Sequence, residues 1–412
     1  GGLWLRGMES AAVLTIGSVD GVNGASTLNG LTTDFAGAPI TLSTVGGGLT
    51  VVEDIQTAGN GNIDLRTGSA GSGDIAINND AQIRSGVSGD GTGTIQLLSA
   101  GAIATTDTTD VDEIATAGAV LLGADGAIGA DGQRIETAGS LTLATYSDDD
   151  QWLRHASSAL EVGSVTAINT EENLDYTATD RNGLNTLLAD ADISLFVTNG
   201  DLTVTQNVAT FGNGSIDLRS ADAGIAINND ALLRSGSSGD GTGTIQLIAD
   251  GAITTSNTAG AAVIQTGGNA LMTTTNGAIG GSGSPIVLAG VDVVSAFAGN
   301  TDTPNKGLFI RQTVGDATVG SVTAISPSDN AADIAASDQE DLVTTKGAIV
   351  VQVAAGQLTL ASDDDATRIN AGGADGHVRL ETETNQNVTL NAGVTAGGSV
   401  SLISDGSLTQ AA

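Results

Sequence analysis

The sequence predicts an all-β chain wound into an elongated parallel β-helix, a solenoid of about 20–25-residue coils. Three observations predict it: a long internal repeat, a finer glycine and aliphatic rhythm inside that repeat, and a core composition with almost no aromatic residues. The long repeat is the strongest of the three, because a fixed period determines the whole architecture. "DIAINNDAQIRSGVSGDGTGTIQL" at Asp74–Leu97 returns as "GIAINNDALLRSGSSGDGTGTIQL" at Gly224–Leu247. Likewise "LWLRGMESAAVLTIGSVDGV" returns as "QWLRHASSALEVGSVTAI" and again as "LFIRQTVGDATVGSVTAI". The markers Trp4, Trp152 and Phe309 are 148 and 157 residues apart, and Ala76 and Ala226 are 150 apart. The chain therefore reads as residues 1–150 (first long repeat), 151–307 (second) and 308–412 (a partial third), joined as one continuous rod. In the third, Val378-Arg379-Leu380 stands where Ile216-Asp217-Leu218 stands in the second.

The finer rhythm is glycine, an aliphatic strand, a polar turn and a second strand: "GTIQLLSAGAI", "GAVLLGADGAI", "GTIQLIADGAI", "GSVSLISDGSL". Gly93 to Gly118 is 25 residues and Gly118 to Gly139 is 21. Period-2 alternation that returns at such intervals lets each coil stack its Ile, Val, Leu and Ala on the coil below, with ladders about 4.8 Å apart. At roughly 22 residues per coil, 412 residues would give about 19 coils and a rod of about 90 Å. A core that long and narrow explains the composition, 40% hydrophobic but only 2% aromatic.

Charge and cysteine content narrow the partners. The formal net charge is −34, from 47 acidic and 13 basic residues, with Lys306 and Lys346 the only lysines. Such a surface repels phosphate backbones and anionic lipid, so neither nucleic acid nor membrane insertion is expected. With no cysteine, thiol catalysis, disulfides and thiolate metal sites are excluded.

The stretches "GNGNIDLRT", "GTIQLLSAGAI" and "GSVSLISDGSL" resemble the repeats of filamentous-haemagglutinin-like and other giant bacterial surface adhesins. The resemblance spans nearly the whole chain, although its pattern is degenerate. It implies a right-handed parallel β-helix at the extracellular bacterial cell surface, a non-enzymatic shaft giving reach, display and attachment, with a cell-surface or glycan receptor as partner. The amino-terminal cap and secretion domain of that family are not in the sequence. The alternatives are a self-assembling filament subunit and a polysaccharide-active β-helix enzyme.

Local motifs are weighed against plainer roles. The glycine-rich strings around Gly89, Gly91 and Gly93, and around Gly239, Gly241 and Gly243, lack the Gly-Lys-Ser/Thr ending and following helix of a phosphate cradle, so tight turns explain them better. The triplets Asp148-Asp149-Asp150 and Asp363-Asp364-Asp365 follow Leu-Thr-Leu strands and are the candidate calcium ligands, since calcium takes six to eight oxygens. Solvated acidic turns are the plainer reading, and no cofactor is otherwise expected. Asn78, Asn228 and Asn391 share one register and read as corner residues that bond backbone groups left open by a turn. Trp4, Trp152 and Phe309 share another; packing is favoured over a sugar-stacking role, with Leu5, Leu153 and Ile310 alternating to the opposite face. His155 and His377 occupy different repeat positions, and the acids are expected to recur with the repeat, which disfavours a single catalytic cleft. The terminal coils are read as uncapped, so further copies of the repeat in a longer chain, or end-to-end self-association, are the expected partners.

Overall fold

The structure is a computed structural model, which describes all residues except 1, 9–12, 21–25, 69–72, 79, 107–111, 170–177, 259, 300–306, 328–334, 363–366 and 412. The chain divides into two compact units. The first comprises Gly1–Leu188 with Ile193–Asn199, and the second Ala189–Asp192 with Gly200–Ala412. Among the described residues every regular element is a β-strand, and nearly all pairings are parallel.

In the first unit each coil has three sides. Long strands form one side: Ile40–Thr44, Ile63–Thr67, Ile95–Ser99, Ala119–Ala124 and Leu141–Ser147 pair in parallel, with Leu42, Leu65, Leu97, Leu122 and Thr145 in one row. Three-residue strands form the second: Leu14–Ile16, Leu49–Val51, Ile75–Ile77 and Ile103–Thr105. The third runs through Leu31–Thr33, Ile55–Thr57, Ile83–Ser85, Ile114–Ala115, Ile135–Ala138 and Gln151–His155. Short β-branched strands suit this plan, because alternation turns every second side chain inward onto its counterpart in the next coil. Leu49, Val51, Ile75, Ile77, Ile83, Leu97 and Ile103 are accordingly buried, each contributing about 1.5–3 kcal/mol by leaving water.

The second unit repeats the plan. Ile216–Ser220, Ile245–Ala249, Asn269–Thr274 and Val293–Ala298 form its long-strand side. Another side carries Leu233–Ser235, Ile264–Gln265, Ile286–Ala289, Leu308–Val314, Ile349–Val353, Val378–Thr382 and Val400–Ser404. The all-β parallel solenoid expected from sequence is therefore present. Its coils are less uniform than expected: stacked partners lie 23, 32, 25 and 23 residues apart from Leu42 to Thr145. All three connections of the 32-residue coil are longer than those of the coil before it, and the loop holding Gly89, Gly91 and Gly93, nine residues at 86–94 against five at 58–62, adds the most. That loop presses on the coil beneath, since a Cβ on Gly91 or Gly93 would lie 2.2 Å from the carbonyl oxygen of Gly59 or Gly61. Gly241 and Gly243 meet Gly212 and Gly214 in the same way. Close backbone approach, rather than a phosphate, explains why the string is written twice.

Each long repeat also carries an inserted hairpin that periodicity alone does not reveal. It follows the Gly-Ser-Val motif and pairs Ser18–Val19 with Leu28–Asn29, Ser164–Val165 with Arg181–Asn182, and Val322 with Gln339, all antiparallel. The second hairpin lies on the outer surface of the long-strand side, where Val165 and Ala178 pack with Leu98, Leu121, Ala144 and Tyr146. The outer face of a solenoid strand is normally wet; here it is a second, satellite core.

Candidate functional site

Two polar constellations stand out, and they differ in whether the repeat reproduces them. The first fastens the hairpin. Asp64 and Arg66 sit two apart on one strand, so both face outward, yet they are 1% and 2% exposed beneath the hairpin. Arg66 Nε donates to both Asp64 oxygens at 2.8 and 3.1 Å, and its Nη2 donates to the Ile168 carbonyl. One strand further on, Gln96 Nε2 donates to Asp64 Oδ1 at 2.8 Å and to Ile168 O at 3.0 Å, while Ile168 N–H donates to Gln96 Oε1 at 2.9 Å. The second unit contains the same set: Arg219 on Asp217, Arg219 Nη2 on Ile325 O at 2.7 Å, and Gln246 bonded to both Ile325 N–H and Ile325 O. Arg supplies a forked donor, and Gln the donor and acceptor pair that matches the C=O and N–H of one hairpin residue. The recurrence marks a structural latch. Its sequence trace was the pair "IDLRT" and "IDLRS", each followed by "TIQL", whose outward Asp, Arg and Gln are odd only once the alternation is assigned.

The second constellation lies on the third side of the first unit and is not repeated. A cavity of about 450 Å3 is lined by Gln82, Arg84, Asp90, Asp112, Ser140 and Ser157 among others. Arg84 Nη2 bonds Asp54 Oδ2 and, at 3.1 Å, Gln56 Oε1. Behind the lining, Glu113 accepts the Glu136 N–H at 2.7 Å, and Glu136 Oε1 accepts from Arg154 Nη1 at 2.9 Å. Burial pushes the Glu113 carboxyl up to about 8, against its hydrogen bonds from the Glu136 backbone and Thr105. Burial also raises Asp112, opposed by the Arg154 charge. In the second unit the corresponding positions are Asn207 for Asp54, Ala262 for Asp112, Val263 for Glu113 and Val287 for Glu136. Gln265, in the place of Ala115, reaches across the groove to donate to Ser238 O at 2.8 Å. The fold therefore does not require these acids. This corrects the expectation that acids simply recur with the repeat, which was drawn from the aspartate-rich turns rather than from buried glutamates.

Other candidates fall as follows. Asp148, Asp149 and Asp150 form a turn whose backbone is bonded to neighbouring coils, Asp148 N–H to Ala124 O and Asp150 O to Ile128 N–H, while Asp149 Oδ1 accepts the Asp150 N–H. Asp363, Asp364 and Asp365 lie outside the described residues. Among the described residues no group of three or more His, Cys, Asp or Glu is placed to hold a metal ion. Asn78 and Asn228 stand at strand ends, their Oδ1 atoms accepting from Thr106 at 2.9 Å and Ser256 at 2.8 Å in the following coil. Asn391 N–H donates to Leu360 O. The aromatic register faces outward. Leu153 and Ile310 point into the coil, so Trp152 and Phe309 plug nothing and are half-buried on the surface, and Trp4 is exposed. Arg134 lies between the Trp152 and Phe196 rings, 5.2 and 3.7 Å from their centroids. His155, inside the coil, is held down to about 4 by burial and bonds Thr137 through Nδ1 at 2.9 Å. No helix is long and apolar enough to cross a membrane among the described residues.

These features define a class, a repeat-built parallel β-solenoid with outer hairpins fastened to its coils. Comparison with family models, with curated proteins and with solved structures finds no match to this chain.

Proposed function

We propose that the chain is a non-enzymatic structural shaft of a giant extracellular bacterial adhesin or surface fibre, giving reach, display and attachment. The observation that carries this reading is the stacking itself: successive coils bury the same aliphatic rows in register, so length can be added coil by coil without a new core. The net charge of −34 keeps such a surface hydrated and apart from anionic membranes, and the resemblance to adhesin repeats supplies the setting. Equivalent coils should be interchangeable. Excising Leu153–Phe309, so that Ile310 takes the place of Leu153, should leave a folded chain that unfolds cooperatively, and on an anchored bead should bring a terminal tag closer to the surface. Global loss of strand circular dichroism, or an unchanged tag height, would defeat the shaft reading.

The unrepeated groove favours one second reading, a polysaccharide-active enzyme, because a raised Glu113 carries a proton at neutral pH as a general acid must. Glu113 does not itself line the cavity, and no aromatic platform does. The chain is therefore expected to release neither reducing ends nor unsaturated products from a broad glycan panel. Release that disappears in Asp112→Asn would reverse the assignment.

A further inference from the structure

The glycine-rich loop of each full repeat lies against one residue of the next coil, and that residue differs between the repeats. In the second unit it is Gln265: a Cβ on Gly239 would lie 2.2 Å from Gln265 Cγ, and Gln265 Nε2 donates to Ser238 O at 2.8 Å. In the first unit it is Ala115, whose Cβ a side chain on Gly89 would meet at 2.5 Å. Ser88, Gly89 and Ala115, the counterparts of Ser238, Gly239 and Gln265, line the cavity of about 450 Å3. A glutamine side chain thus occupies in one unit the kind of space that stands open in the other.

The lining changes in step. Gln82, Asp112, Ser140 and Ser157 of the open groove stand where the second repeat has Leu232, Ala262, Val291 and Val314, while Arg84 and Asp90 are kept as Arg234 and Asp240. Both linings are compatible with the same coil. Only the first leaves both room and hydrogen-bonding capacity, the two attributes of a small-ligand site.

Charge indicates what fits there. Arg84 is offset by Asp54, so Asp90 and Asp112 leave two negative charges at the open groove. In the second repeat Asn207 replaces Asp54 and Ala262 replaces Asp112, so Arg234 and Asp240 sum to zero. Asp112 is half-buried, and its Oδ1 has no hydrogen-bond partner among the described residues. A carboxylate so placed gains from a cation that also donates hydrogen bonds. The Ser88 carbonyl, whose counterpart in Ser238 accepts from an NH2 group, and the Ser140 and Ser157 hydroxyls add acceptors. An ammonium meets that set with a compact charge and three donors. A divalent metal does not, since among the described residues no three acidic or histidine side chains are placed to hold one.

We propose that this groove binds a primary ammonium group carried on an alkyl chain, the chemistry shared by a lysine side chain and a diamine. The site stands on the groove itself and goes beyond the shaft reading.

Calorimetric titration of the full chain with Nα-acetyl-lysine methylamide and, separately, with diaminobutane is the test, each in a background of excess sodium chloride so that the diffuse field of a chain of net charge −34 is screened. One saturable equivalent per chain is expected, and acetylating the lysine Nε should weaken it at least about tenfold. Tighter binding of the lysine compound points to a partner protein as the source, tighter binding of diaminobutane to a free diamine, and both outcomes support the ammonium site. Ala115→Gln places in the groove the residue the second repeat carries and leaves the net charge unchanged, so a tenfold or greater loss in that variant reads occupation of the groove rather than general electrostatics. Asp112→Ala, again the residue of the second repeat, should lose as much, with circular dichroism and melting of both variants checked against wild type. Gln265→Ala opens the second groove without its acids and should add no second equivalent. Uptake that never saturates, binding that survives Ala115→Gln or Asp112→Ala, or a second equivalent in Gln265→Ala would each overturn the proposal.

Discussion

Glu113→Gln is expected to stabilise the protein at neutral and alkaline pH, by roughly 3 kcal/mol at pH 7 and by about 5 kcal/mol at most above pH 8. The cause is a carboxyl held at about 8 in the fold against an ordinary value of 4.5. An acid whose folded value is raised binds a proton in the folded state that the unfolded chain releases. Its contribution is intact below pH 4.5 and is lost as pH rises through 8. Glutamine keeps an acceptor for the Glu136 N–H and has no charge to desolvate. His155 works in the opposite direction in a different window: held near 4, it favours the fold above pH 6.5, and that contribution is lost as pH falls through 4. Between pH 6.5 and 8 the histidine is silent and the slope belongs to Glu113. Urea unfolding across that window should show wild-type stability falling by about 1.4 kcal/mol per pH unit, while the variant stays nearly level. Parallel curves for the two proteins would mean that Glu113 is already ionised in the fold. Val263, buried at the same position of the second repeat, shows that the coil accepts an uncharged residue there.

How much of this was legible in the sequence depended on the physical range of each feature. The coil follows from local rules, alternation and turn residues, and its repetition made the pattern visible even with 2% aromatic residues. The glycine-rich string was legible as turn chemistry, but its tight fit against Gly59 and Gly61 was not, because that depends on which coil lies beneath. The hairpins hid in "GSVTAI", a motif used only as a repeat marker. Two-residue strands have too short a pattern to be seen, and what holds them is Ile168 reaching Gln96 across 72 residues. Glu113 and Glu136 carry no sequence signal of their own, because isolated acids between aliphatic residues look like ordinary outward positions. Only the comparison with Val263 and Val287, once the register was known, singles them out. The aromatic register was read correctly as an alternation and placed on the wrong side of the strand, since Leu153 rather than Trp152 fills the narrow coil.

Arg66→Leu should be the most damaging substitution on the long-strand side, costing about 3–5 kcal/mol. Asp64 is 1% exposed, and the guanidinium is the cation that offsets its burial. Removing it takes the guanidinium's bonds from a carboxylate that also accepts from Gln96 Nε2, in a site covered by the hairpin. The same substitution takes a donor from the Ile168 carbonyl, so the coil and the latch weaken together. Asp64→Leu with Arg66→Leu should behave differently. With both charges gone no desolvated carboxylate remains, and the double variant should recover most of the lost melting temperature. The latch should still be looser than in the wild type, because Gln96 alone then holds Ile168. Hydrogen exchange at the Ile168 amide, which donates to Gln96 Oε1 at 2.9 Å, separates the two effects. Melting temperature should follow the order wild type, double, single, whereas protection of Ile168 should fall in both variants. Arg219→Leu should reproduce the pattern at Ile325 in the second unit, where the pair and its bonds are the same. A single variant that melts within about 1 kcal/mol of wild type, with Ile168 protection unchanged, would show that the hairpin is held by the apolar packing of Val165 and Tyr146 and that the buried ion pair fastens nothing.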